Sequence, residues 1–596
     1  METPKLIERN WAVDSQGEKK GSGLEDTEED SVGVLRLISF GTMRKWVKLI
    51  LLASGVLLCT IGAITTALWP KVFESILNMQ LALSESSKSF EIWRDTPVPM
   101  KLKIYFFNWT NPGQLSTKEK PSFVEMGPYT FNEFHEKVNL SFNDNDTITF
   151  ERVRIWKFDP EESNGSLDDL VTTLNVPPLT AAFVTRNWGF LVQTSLSYFL
   201  NRFEKMVVTK KVKELLFDGY TDPLISLADT LPALANVDIP FDKFGWFYSR
   251  NGSSTYDGIF NMDTGRDNIE KLGRLREWNY QNHTDFYEGH CGNIVGSAGE
   301  LWPPYRKKDS ISMFSSDMCR SIELPYESET MAMGIPAYRY TAGVGLIDNG
   351  TIDKSNECYC GGQCMPVGVV NASSCRYGSP AFISYPHFLN ADPYYSSLIQ
   401  GMAPDSKKHS FYITIEPRTG IPIDVAARLQ INILLQPSKH ISMYQKVPEV
   451  FFPMIWFEQT ATMTPEMASS IAKLLGLAEW GVYLCISMLG IGILLIASVV
   501  ITFIASIFGR KPSQIFKAEL KTKPENIHIT KPLVPTNYGK RLIFDGTASS
   551  SPITAPYAVP EDTDEYNGVN NDYIHKNTSL SHKQSPPNGL YPSFNS

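Results

Sequence analysis

Two stretches of the chain stand apart because they carry no charge: the 21 positions from Leu49 to Trp69 and the 29 from Trp480 to Phe508. At about 1.5 Å per residue a helix of either length crosses a hydrocarbon core of roughly 30 Å. Buried core helices are the alternative reading, but uncharged runs this long are rare in soluble proteins, so both are predicted to be transmembrane helices. Between them the dominant period is two. In Lys101–Phe106 large apolar side chains alternate with Lys and Tyr, the pattern of a strand with one buried face. Ile148 and Phe150 are followed by Val153 and Ile155, a slip of one position that predicts a bulge near Glu151 and Arg152. Phe411–Glu416 and the alternation Leu429, Ile431, Ile433, Leu435 predict further strands, with Pro417-Arg418-Thr419-Gly420 as the turn between them. One segment has helical spacing instead: Val192, Leu196, Phe199, Phe203 and Met206 share a stripe. No repeat or long linker divides these pieces, which predicts one large β-rich domain.

Charge sets the orientation. Arg36, Arg44, Lys45 and Lys48 precede the first run and only Lys71 lies close behind it, whereas Arg510, Lys511, Lys517 and Lys521 follow the second, against Lys473 before it. The positive-inside rule then places both termini in the cytosol. Because the first run lies far from Met1 and has no small-residue cleavage pattern, it reads as an uncleaved signal anchor. The expected organisation is a cytosolic tail over 1–48, spans over 49–69 and 480–508, a luminal or extracellular domain over 70–479, and a disordered cytosolic tail over 509–596, rich in Ser, Pro, Asn and Tyr. Eight glycosylation sequons, at Asn108, Asn139, Asn145, Asn164, Asn251, Asn282, Asn349 and Asn371, all fall between the spans; a ninth, Asn577, falls in the last tail and is expected to stay bare. The net charge of −9 argues against a nucleic-acid partner, and 42 % hydrophobic residues exclude wholesale disorder.

Six of the 8 cysteines, Cys291, Cys319, Cys358, Cys360, Cys364 and Cys375, cluster in the translocated region, where an even number reads as a disulfide framework with fifteen possible pairings. Zinc is the competing reading of Cys358-x-Cys360-x-x-x-Cys364, which lacks paired C-x-x-C spacing. Cys59 and Cys485 lie in the spans as small apolar fillers. An enzyme finds little support: the chain has no Gly-x-Ser-x-Gly, no His-Glu-x-x-His, no phosphate-binding loop and no two His at i, i+4. His290 and His387 read as structural histidines, and Asn143-Asp144-Asn145-Asp146 as a solvated turn. No metal or cofactor is expected. Beside the helical stripe, Lys205, Lys210, Lys211 and Lys213 form a basic stretch, either the solvated face of a packed helix or a patch for anionic ligands.

Several segments occur together in an order that is similar to one family. They are Glu125-Met126-Gly127-Pro128-Tyr129-Thr130-Phe131, Gly219-Tyr220-Thr221-Asp222-Pro223, Ser315-Ser316-Asp317-Met318-Cys319-Arg320-Ser321-Ile322, Tyr385-Pro386-His387-Phe388-Leu389 and Ile415–Gly420. With two spans and the Cys-x-Cys pair, the chain resembles the class B scavenger receptors over about residues 45–510. The resemblance implies a membrane protein whose two transmembrane helices flank a large β-rich ectodomain: an irregular antiparallel β-barrel, an apical helical bundle and an internal lipid tunnel. It implies the pairs Cys291–Cys358, Cys319–Cys375 and Cys360–Cys364. It also implies a ligand-binding apex, here Phe199, Arg202, Phe203, Lys205, Lys210, Lys211 and Lys213, with the helix running from about Phe190 to Met206. The implied function is that of a non-enzymatic receptor at the plasma membrane, binding lipids, lipoproteins or other anionic amphipaths and passing lipid to the membrane; the alternative is an endosomal or lysosomal receptor, or a sensory coreceptor for hydrophobic odorants. Long tails depart from the family pattern. Glu2, Leu6 and Ile7 fit an acidic dileucine sorting signal and Tyr566-Asn567-Gly568-Val569 a tyrosine-based one, which makes endocytic adaptors expected partners.

Overall fold

The computed structural model describes residues 45–117, 119–230, 241–362 and 364–508. Both uncharged runs are helical, and each helix outlasts its run: Lys45–Leu81 and Pro465–Phe508. Pro70 lies inside the first helix without ending it, and the continuation buries Phe73, Leu77 and Leu81 against the β domain. The two helices pack on each other through glycines. A Cβ at Gly62 would lie 2.8 Å from the Leu489 backbone nitrogen, one at Gly492 would lie 2.7 Å from Cys59 Sγ, and one at Gly481 would overlap the Trp69 ring, whose Nε1 donates to Ala478 O at 3.0 Å. In a bilayer, where lipid is as apolar as leucine, such close backbone approach is what holds helices together. Their outward faces, including Leu57, Ile64 and Leu494, are apolar and exposed, as lipid contact requires.

The domain between the helices is a long, nearly closed antiparallel sheet. Its strands are β1 (Met100–Trp109), β2 (Phe123–Phe142), β3 (Thr147–Phe158), β4 (Leu170–Leu174), β5 (Val207–Lys211), β6 (Ile259–Asp263), β7 (Leu275–Trp278) and β8 (Ser310–Ser315). The rest are β9 (Arg320–Ala332), β10 (Ile335–Thr341), β11 (Val370–Asn371), β12 (Ala381–Ser384), β13 (Tyr412–Ile415), β14 (Pro422–Leu435) and β15 (Val450–Thr462). The order is β7-β6-β3-β2-β1-β15-β14-β13-β10-β9-β8, with β12 also on β14, and β4 and β5 form a separate pair. The ends of the path are bridged by Gly296 and Ser297: Leu275 N donates to Gly296 O at 2.8 Å, Ser297 N to Ser312 O at 3.0 Å and Phe314 N to Ser297 O at 2.8 Å. Gly296 adopts φ +90°, and a Cβ there would sit 2.2 Å from the Ser312 carbonyl carbon, so only glycine closes the seam. Because Met100 pairs with Ala461 just before the last helix begins, that end of the sheet faces the membrane. The Trp109 and Val450 end is distal. It is capped by helices Val176–Val184 and Phe190–Phe203, inserted between β4 and β5.

β1, β13, β14 and the turn at 417–420 lie where the pattern predicts, and the side chain of Glu416 holds that turn, accepting from Arg418 N at 3.0 Å and Thr419 N at 2.7 Å. β3 does not carry the predicted bulge. Its burial alternates without a slip through Ile148, Phe150, Arg152, Arg154 and Trp156, and the pairing irregularity falls on β2, between Val138 and Ser141. The apparent slip arises because two buried positions are arginines, held by buried carboxylates. Around Glu300 gather Lys137 Nζ at 2.9 Å, Arg152 Nε at 3.6 Å and His135 Nδ1 at 3.7 Å, while Arg154 Nε lies 2.8 Å from Asp257. Arg250 reaches Asp257 at 3.0 Å and Asp317 at 2.6 Å. Disulfides join Cys291 to Cys358, Cys319 to Cys375 and Cys360 to Cys364. His290 lies 3.8 Å from Cys358 Sγ, but the disulfide takes up the sulfurs of Cys291 and Cys358, which leaves no thiolate to hold a metal there.

Candidate functional site

The distal helix Phe190–Phe203 is anchored by polar groups. Its buried line is Gln193, Ser197 and Leu200. Gln193 Nε2 donates to Trp188 O at 2.8 Å and to Arg186 O at 3.2 Å, and Ser197 Oγ accepts from Ser442 N at 3.0 Å. The stripe predicted from spacing is therefore only partly the packing face: Leu196 and Phe199 are half-buried, whereas Val192 and Phe203 are exposed and the helix ends before Met206. Because hydrogen bonds fix the helix, large apolar side chains remain in solvent, with Leu191 78 %, Tyr198 76 %, Phe190 62 % and Phe203 58 % exposed. Phe199 and Phe203 face each other with ring centres 4.9 Å apart, and Arg202 and Lys205 are exposed beside them.

The remaining lysines do not extend this helix. Lys210 and Lys211 belong to β5, and Lys213 follows it. Lys211 and Lys213 both reach Asp168, at 3.0 and 2.9 Å, and their hydrogen bonds hold its carboxyl below the usual range. The Lys210 ammonium lies 4.7 Å from the ring centre of Tyr220. Arg202, Phe203 and Lys205, with the half-buried Phe199 behind Phe203, thus form one aromatic and cationic edge, while two of the basic residues are already paired with an acid.

Beneath the helix end, Glu204 meets the Gly219–Pro223 segment. Asn175 Nδ2 donates to Glu204 Oε2 at 3.2 Å and to Asp222 Oδ2 at 3.4 Å, and Asn175 Oδ1 accepts from the Tyr220 hydroxyl at 3.0 Å. Burial and the neighbouring Asp222 charge push the Glu204 carboxyl up to about 7, and burial raises that of Asp222 as well. Elsewhere two of the shared sequence segments meet. His387 Nε2 and Trp456 Nε1 both donate to Glu125 Oε2 at 2.7 Å, and Ala403 N donates to His387 Nδ1 at 3.2 Å, which fixes the Nε2–H tautomer. Burial opposes ionisation of Glu125, but the bonds from His387 and Trp456 outweigh it and lower its carboxyl. His409, stacked on His387 with ring centres 4.7 Å apart, is pushed down to about 4 by burial and then by His387. Sequence spacing alone does not find the Glu125–His387 or Glu204–Asp222 pairs, because 262 positions separate the first, and strand β5 and the turn over Glu214–Asp218 lie between the members of the second. The available signal is that Glu125, His387 and Asp222 fall in shared segments; Glu204 does not.

Of the sequons, Asn139, Asn145, Asn164, Asn251 and Asn282 are exposed, Asn108 and Asn371 are half-buried, and Asn349 is buried, its amide nitrogen donating to Met365 O at 2.5 Å. Glu2, Leu6, Ile7, Tyr566–Val569, Asn577 and the tail residues that set the orientation, Arg36, Arg44, Arg510, Lys511, Lys517 and Lys521, lie outside the described residues.

Two apolar helices that hold a disulfide-bonded, nearly closed β domain define a membrane-anchored class of protein with its exposed apex at the end away from the bilayer. The profile of the CD36 family matches residues 53–503. Protein peste of Drosophila melanogaster is 39 % identical over 410 residues, covering 68 % of this chain and 73 % of that protein. Scavenger receptor class B member 1 of Mus musculus is 34 % identical over 423 residues, 70 % of this chain and 82 % of that one, and lysosome membrane protein 2 of Homo sapiens is 31 % identical over 427, 70 % and 86 %. The chain belongs to the CD36 family, the class B scavenger receptors.

Proposed function

We propose that this protein is a lipid receptor that captures lipids, lipoprotein particles or other anionic amphipaths at its distal apex and passes single lipids through the ectodomain to the membrane. The observation that carries the reading is the Phe190–Phe203 helix, which polar bonds hold in place so that Phe190, Leu191, Tyr198 and Phe203 need not be buried, next to the exposed cations Arg202 and Lys205. Exposed apolar groups bordered by charge mark contact surfaces. An acyl chain shielded along its path gains roughly 0.8 kcal/mol per buried CH₂, so transfer needs no chemical step. The likeness to a scavenger receptor agrees with this reading. Replacing Phe190, Leu191 and Tyr198 by Ser, and separately Arg202 and Lys205 by Glu, should weaken capture of vesicles containing phosphatidylserine, the second change also flattening its salt dependence. Normal capture by both variants at the cell surface would refute the apex assignment.

The locations proposed are the plasma membrane, with both termini cytosolic, and the endosome and lysosome. A lysosomal role is favoured by the likeness to lysosome membrane protein 2 and by the Glu2, Leu6, Ile7 pattern. Changing Leu6 and Ile7 to Ala should raise the surface fraction of the tagged chain, and an equal fraction by surface labelling counts against that role.

A further inference from the structure

Resting on the apex reading above, the question is what joins the exposed helix to the body of the domain at its C-terminal end. Glu204 caps that end, its backbone nitrogen donating to Leu200 O at 2.9 Å. Its carboxylate faces Asp222, which is 2 % exposed and also accepts from Leu224 N at 3.0 Å. The single amide of Asn175 bridges both acids. Among the described residues Glu204 Oε1 is buried without a hydrogen-bond partner, and so is the hydroxyl of Tyr444, a residue 1 % exposed that feels the charge of both acids. A half-buried and a buried carboxylate that share one bridging donor, with Glu204 Oε1 left open, repel each other when both are ionised. A proton held between them removes that repulsion.

We propose that Glu204 and Asp222 form a proton-operated latch, closed in acid and loosened at neutral pH, that sets how firmly the ligand-binding helix is docked and so couples the apex to the acidity of its compartment. The groups facing the pair are Asn175, the hydroxyls of Tyr220 and Tyr444, which burial keeps protonated, and Lys210 over the Tyr220 ring. Lys205 follows Glu204 and points into solvent. The sign follows from the docked state holding its proton more tightly than an opened one: Glu204 is raised from 4.5 to about 7, so docking strengthens as pH falls from about 7 toward 4.5.

The test is hydrogen–deuterium exchange of the full-length protein in lipid nanodiscs at pH 7.5 and 5.5, comparing wild type with E204Q, whose neutral amide stands in for the protonated acid. Taking the ratio of the two proteins at each pH cancels the intrinsic pH dependence of exchange. The wild-type deficit in protection of amides 197–204 relative to E204Q should be roughly tenfold or more at pH 7.5, several-fold smaller at pH 5.5, and should close as the pH nears 4.5. D222N should reproduce the E204Q pattern. Equal protection at both pH values, or loss of protection in both variants at every pH, would overturn the latch. Capture of phosphatidylserine vesicles is measured in parallel: pH-independent capture beside an intact exchange signal would overturn the apex reading and leave the latch standing.

Discussion

Substituting Glu300 by Gln tests the buried charge cluster directly. Glu300 keeps 19 % of its side-chain surface exposed, whereas Lys137, 2.9 Å away, keeps none, and Arg152 keeps 8 %. Removing one partner of a buried pair typically costs 3–5 kcal/mol, because the other charge is left desolvated. The partial exposure of Glu300 and the bond that Lys137 Nζ retains to Thr96 Oγ1 at 2.7 Å place the expected loss near the lower end, about 3 kcal/mol. For a domain of this size that lowers the unfolding midpoint by about 3–5 °C. The assay is intrinsic-fluorescence melting of the purified full-length protein at one scan rate, with K137M and the K137M/E300Q double variant alongside. The double variant should lose clearly less than the sum of the singles, since it removes both charges. Burial works against ionisation of Glu300, but Lys137 and Arg152 outweigh it and hold its carboxyl well below the usual range. Its contribution is therefore complete above the unfolded value near 4.5 and lost only in stronger acid, so the E300Q deficit should be the same at pH 7.5 and 5.5. An E300Q midpoint within 1 °C of wild type, or strict additivity in the double variant, would refute the reasoning.

Three further outcomes are expected. Replacing Cys291 and Cys358, 67 positions apart, by Ser should cost about 2 kcal/mol more than replacing Cys360 and Cys364, only 4 apart, in the chain-entropy account, and secretory yield measured by glycosidase-resistant fraction should rank the two variants accordingly. G481L places a side chain on the Trp69 ring and should separate the two spans, lowering thermal stability in detergent, whereas G490L, where a Cβ meets nothing within 4 Å, should leave it unchanged. Peptide mapping should find glycan on exposed Asn139, Asn145, Asn164, Asn251 and Asn282 and none on buried Asn349; a fully occupied Asn349 would count against the packing of its loop.

What the sequence discloses depends on whether water or protein decides a residue's environment. The spans are legible because a bilayer tolerates no charge over their whole length, yet their true ends are not, because the helices run on into segments such as Phe73–Leu81 that bury one face against protein. Strands such as β1 and β14 are legible by alternation. β3 is misread at Arg152 and Arg154, whose burial is stabilised by Asp257, Glu300 and Asp317 from remote loops, so no local pattern announces it. The distal helix is recognised as a helix, but its buried line runs through Gln193 and Ser197, which hydropathy assigns to solvent. The cysteine spacing left fifteen pairings open; only the resemblance supplied one. The acid pair at the apex escapes for a related reason: Glu204 is unremarkable until the chain brings Asp222 under it.

The pairing of β1 with β15 has a consequence in time. Phe106 must wait for Ile455, roughly 350 residues later, before one side of its strand has a partner. At about 5–20 residues per second, synthesis of that stretch takes on the order of 20–70 s. Throughout that interval β1 presents an open hydrogen-bonding edge and the apolar row Leu102, Ile104 and Phe106. The domain therefore cannot mature strand by strand as it emerges. Completion comes as a single late event, after the ribosome has delivered the final strand and the second span, and the nascent chain must be kept from premature association until then.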